Sequence, residues 1–206
     1  MTPTIDHGPA ARRLAGLLPA IPDSALDMPT PCADMTLAAL LDHVHGLSIT
    51  FAQAAAKDRP EGAPPPADAA ALDPAWRVRI PELLDELAAA WRVPAAWEGM
   101  TEAGGVELPG EVAGNVALNE IVVHGWDVAR ATGQPYEAGT DEVEACLAFV
   151  GPSVEASGGA AIEGLFGAAV PVPDGAAPLD RLIAMTGRDP SWSAAHASPA
   201  RRTPAP

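Results

Sequence analysis

The stretch PGEVAGNVALNEIVVHGWDVARATGQP, Pro109 to Pro135, decides the fold. Pro109 stands where a first helical turn tolerates proline, and Gly133 followed by Pro135 marks a stop. The pattern predicts a helix over about 110–132 with Pro109 as its first residue, apolar on nearly every side. Such a helix sits at the centre of its bundle. Two ionisable residues interrupt it, Glu120 and His124. At about 100° per residue, positions four apart stand one above the other on a helix surface. Their neighbours on that face are Ala113, Val116, Ala117, Val123 and Ala131, all apolar. Burying a carboxylate or an imidazole without partners costs several kcal/mol, so something must satisfy the pair. Two answers stand open: a mutual hydrogen bond or a bridge to an arginine, and a metal ion clamped by oxygen and nitrogen at i and i+4.

Working outward, helical spacing recurs over about 4–18, 36–57, 75–91, 140–155 and 180–186. Asp34 or Thr36 is placed to cap the second of these. Pro81, inside the third, marks a kink or a later start. The proline-rich run over 59–74 reads as a loop, and no convincing strand pair or internal repeat is visible. The expectation is an all-α protein: one helical domain over residues 1–192 and a disordered tail over 193–206.

Composition narrows the function. A formal net charge of −15, with scattered basic residues, argues against a nucleic-acid partner. No apolar run reaches the roughly 18–20 residues of a membrane span, and the first residues lack a signal-peptide pattern. The chain is therefore expected to be soluble and cytoplasmic. Cys32 and Cys146 lack metal-type spacing and are expected to be reduced. Monomer and homodimer are both compatible with the sequence.

A third ligand would favour the metal answer. LLDHVHGL, over 40–47, offers two candidates: His43 shares a face with Leu40 and Leu47, and His45 with Leu41 and Ile49. Either imidazole can face inward. Three such ligands with one open position form a catalytic zinc site, in which a bound water or thiol becomes a nucleophile at neutral pH. Asp127 is read as an ion-pair partner of Arg130 in preference to an orienting group for His124. Trp126 is read as an apolar anchor and Asn119 as outside the cluster. Cys32 is read as a small buried apolar residue. His7 and His196, near mobile termini, are poor ligands.

MPTPCADMTLAALLDHVHGL, NEIVVHGWDVARATGQP and LDRLIAMTGRDPSW together resemble the actinobacterial members of the DinB-like superfamily. The resemblance is to the group related to mycothiol-dependent maleylpyruvate isomerase and mycothiol S-transferases, and it spans about 14–192. It implies a DinB-like four-helix bundle with a short C-terminal helical extension, holding a divalent metal, usually zinc. Carried over by position, the ligands are His43, Glu120 and His124. The implied chemistry is addition of the sulfur of mycothiol to a small electrophilic substrate, in S-transfer or in thiol-assisted isomerisation. Met35 replaces a tryptophan common in the family, and His45 an apolar residue. Rival expectations are a thiol-independent metal hydrolase, a non-catalytic metal-binding protein of regulatory role, and a metal-free bundle in which Glu120 and His124 satisfy each other.

Overall fold

A computed structural model of the chain describes residues 5–33, 35–58, 65–162 and 164–194. Helices α1 (Gly8–Leu17), α2 (Leu37–Ala56), α3 (Trp76–Ala90) and α4 (Gly110–Thr132) build the core. Each of α1 and α2 packs against both α3 and α4, which makes a four-helix arrangement. Helix α5 (Thr140–Ala156) lies on α4, and the short α6 (Pro178–Met185) lies on α5. Every residue of α4 from Ile121 to Ala129 is buried, as expected of a helix apolar on all sides. Among the described residues, no helix is long and apolar enough to cross a membrane.

Local chemistry sets the helix ends. Thr36 Oγ1 accepts the Ala39 N–H at 3.3 Å and caps α2, while Asp34 lies outside the described residues. Helix α3 runs through Pro81 without ending, because the proline there removes only the N–H that would reach the second helical residue, Arg77. Pro109 is the cap of α4 and Gly110 its first residue. Gly110 has to be small: a Cβ there would run into Ala96 O and within 2.8 Å of Lys57 Nζ.

Two expectations need correction. A strand pair exists: β1 (Met100–Ala103) and β2 (Val106–Pro109) form an antiparallel hairpin. Its loop is Gly104–Gly105, both at positive φ (60° and 83°), the conformation that a two-residue hairpin turn demands. Thr101 Oγ1 donates to Ala54 O at 2.6 Å, which ties the hairpin to the end of α2 and sets where α4 begins. His7, in turn, is fully buried, between Trp91 and Trp97 at ring-centroid distances of 5.8 and 5.7 Å. Its Nε2 donates to Gly114 O at 2.8 Å, so the start of α1 is fastened to α4. Of the segment expected to be a tail, Ser193 and Ala194 are half-buried and the remainder, with His196, lies outside the described residues.

Candidate metal centre

The i, i+4 spacing on α4 brings His124 Nε2 to 3.0 Å from Glu120 Oε2. Helix α2 adds His43, whose Nε2 lies 3.3 Å from the same carboxylate oxygen. The His43 and His124 rings meet edge to face, their centroids 4.8 Å apart. One ligand atom from each of the three residues lies within 4.8 Å of the other two. The group is graded in exposure: the His124 side chain is 6% exposed, Glu120 20% and His43 33%, so approach is from the His43 side. His45 is half-buried and joins no such cluster among the described residues, and Asn119 is buried outside it.

Asp127 departs from expectation. It is fully buried, and its Oδ2 accepts a hydrogen bond from His124 Nδ1 at 2.9 Å and one from Arg188 Nη2 at 3.1 Å. Arg130 instead donates to Pro190 O and lies over the Trp126 ring. Asp127 is thus the orienting group for His124, with Arg188 as its counter-ion. Sequence spacing pointed to Arg130 because Arg130 is three positions away; Arg188 arrives from beyond α6, and no local signal marks it. Trp126 is buried, as an apolar anchor should be.

Electrostatics follow from this geometry. Burial works against ionisation of Glu120, but His124 and then His43 outweigh it and hold the carboxyl far below the usual range. Burial likewise opposes charge on His124, yet the Glu120 and Asp127 carboxylates raise its pKa well above the ordinary imidazole value. The two carboxylates therefore call for a positive charge between them. A proton on Nε2 supplies it, and so would a divalent cation held by His43, Glu120 and His124.

Cys32 Sγ, His124 and Asp127 form a second close group. There the positive charge is already present, since Arg188 Nη2 sits 3.5 Å from the sulfur as well as on Asp127. Burial, partly offset by Arg188, pushes the Cys32 thiol up to about 11, so it stays protonated at neutral pH.

Residues 7–129 match the family described as the mycothiol maleylpyruvate isomerase N-terminal domain. Two uncharacterized proteins, from two strains of Mycobacterium tuberculosis, are each 30% identical over 194 residues, which cover 91% of this chain and 98% of theirs. Among solved structures, a mycothiol-dependent maleylpyruvate isomerase superposes with a TM-score of 0.56 at 15% identity, over 72% of this chain and 66% of that one. A histidine-to-alanine mutant of such an isomerase gives 0.58 at 17% identity, over 75% and 70%. At these identities the likeness establishes a shared fold.

Proposed function

Since the chain belongs to the mycothiol maleylpyruvate isomerase N-terminal domain family, we propose that it is a metal-dependent enzyme that uses a low-molecular-weight thiol such as mycothiol. Its substrate is a small electrophile, converted by S-transfer or by thiol-assisted isomerisation. The observation that carries this reading is the convergence of His43, Glu120 and His124 within 4.8 Å. Two imidazoles and a carboxylate suit zinc and leave a fourth tetrahedral position for an exchangeable ligand. When bound, the metal supplies the field that keeps a thiol deprotonated at neutral pH, which a free thiol of pKa about 8.5 is not.

The protein's own residues prepare that site. Asp127 holds the proton of His124 at Nδ1 and so directs Nε2 toward Glu120 and His43. Arg188 neutralises Asp127 and keeps that second carboxylate from competing for the cation. The half-exposed His43 leaves one side of the site open to a ligand. Cys32 Sγ is contacted by Arg188 Nη2 at 3.5 Å beside Asp127, and this reading assigns the attacking sulfur to the cosubstrate. In S-transfer, sulfur adds to the electrophilic carbon of an activated double bond, the π bond breaks, a proton is taken up at the adjacent carbon, and the thioether adduct is the product. In isomerisation, sulfur adds to an activated double bond, the resulting single bond rotates, and the thiol leaves.

The test assays zinc-loaded protein with maleylpyruvate and with a simple unsaturated carbonyl electrophile, each with and without mycothiol. The reading expects isomerisation of the first or thiol consumption with the second, dependent on mycothiol and abolished in His43→Ala. A rate indifferent to thiol overturns it.

A further inference from the structure

Glycine is among the poorest residues for a helix interior, so one found there needs a reason. In α4 the reason is packing: a Cβ at Gly110, Gly114 or Gly125 would come within 2.4–2.6 Å of a neighbouring atom. Gly46, in the middle of α2, has no such reason. A Cβ there would meet no neighbouring group within 4 Å among the described residues, and the backbone at Gly46 is not among those at positive φ. Yet the position is half-buried, whereas Gly16 of α1, equally unhindered, is exposed. Gly46 therefore borders empty space that is partly screened from solvent, a recess in the surface.

The recess lies beside the candidate metal centre. Gly46 follows His43 by three residues, which puts it about 60° round α2 and about 4.5 Å further along. Helices α2 and α4 run antiparallel, because Thr101, ahead of α4, bonds to Ala54 near the end of α2 while His43 meets Glu120 further on. The step from His43 to Gly46 therefore runs alongside the step from Glu120 back towards Val116, which is half-buried one turn nearer the head of α4. Asp42 stands four residues before Gly46 on the same face of α2, and its Oδ2 accepts the Asp68 N–H at 3.0 Å.

These surroundings set what the recess suits. Gly46, Val116 and, one turn beyond Gly46, Thr50 carry no charge, and Asp42 is acidic. They offer an anion no partner. A short uncharged carbon chain fits the space.

We infer that Gly46 is a specificity-determining residue: it leaves room beside His43 and Glu120 for a short uncharged carbon chain borne by the electrophile that reacts there. That the chain belongs to a reacting electrophile rests on the proposed function. The recess and the reason for its glycine do not.

Three measurements on the full, zinc-loaded chain test this. Saturation-transfer NMR with 2-heptanone, an unreactive chain, is expected to show transfer to the chain protons in the wild type and in Gly16→Leu. In Gly46→Leu, which fills the recess, transfer is expected to drop to the level of a non-binding control. Urea unfolding of Gly46→Ala is expected to give a midpoint at or above that of the wild type, since the added methyl meets nothing and favours the helix. With mycothiol as the thiol, kcat/KM for 3-hepten-2-one relative to methyl vinyl ketone is expected to fall about tenfold in Gly46→Ala, the scale of one methyl group in a fitted pocket. Absence of reaction with either enone would fail the proposed function and leave the recess to be decided by the first two measurements. No transfer in the wild type, transfer unchanged in Gly46→Leu, a lowered midpoint in Gly46→Ala, or an unmoved ratio of kcat/KM overturns the inference.

Discussion

Asp127 Oδ2 lies 2.9 Å from His124 Nδ1, and this contact decides which imidazole nitrogen faces Glu120 and His43. Metal-binding histidines commonly carry such an acceptor on the far nitrogen, where it fixes tautomer and ring orientation. Here the acceptor is buried and is itself held by Arg188.

Asp127→Asn removes the charge and weakens the grip on the ring with little change of shape. Metal affinity, read by competition with a chromophoric chelator, is expected to fall about 10–100-fold. The helical circular dichroism should not change. Unaltered affinity would mean that Asp127 does not orient His124.

Gly125 follows His124 and faces Tyr136, whose hydroxyl donates to Val122 O at 2.9 Å. A Cβ at position 125 would come within 2.6 Å of that hydroxyl oxygen. Gly125→Ala should cost about 1–3 kcal/mol by forcing the ring aside. Urea unfolding of the variant measures this, and an unchanged midpoint would contradict the packing described.

His7 gives a pH signature. Burial is the largest influence on it and holds its pKa below the ordinary 6.5. The unfolded chain therefore binds the proton first as pH falls. The stability contributed by neutral His7 is complete above about pH 6.5 and is lost as pH drops from there through the depressed folded value. His7→Gln, which can still donate to Gly114 O, should show a smaller fall in urea midpoint between pH 7.5 and pH 5.5 than the wild type. Identical falls would place the sensitivity elsewhere.

Much of the fold was legible because the chain punctuates α4 so clearly. Pro109, Gly133 and Pro135 bracket a helix observed at Gly110–Thr132, and the 3.6-residue period puts Glu120 and His124 on one face. The hairpin escaped because four-residue strands are too short to show alternation. Its signal was Gly104–Gly105, a pair suited to the turn. Choosing His43 over His45 needed either the family resemblance or the path of α2, since both share faces with leucines or isoleucine. The Asp127–Arg188 contact spans 61 positions and depends on how the segment after α6 returns to α4, which no local pattern encodes. His7 misled for a related reason: nearness to the N-terminus suggests mobility, whereas the indoles of Trp91 and Trp97 bury it.

The most direct test of the central claim is the metal content of untagged protein by inductively coupled plasma mass spectrometry, after zinc loading and desalting. His43→Ala, Glu120→Ala and His124→Ala are treated identically beside it. The account predicts near-stoichiometric metal in the wild type and its loss in all three variants, each still helical. A wild type that remains folded yet retains no metal would contradict it, and would leave His43, Glu120 and His124 as a partly buried ion-pair cluster satisfied by a proton.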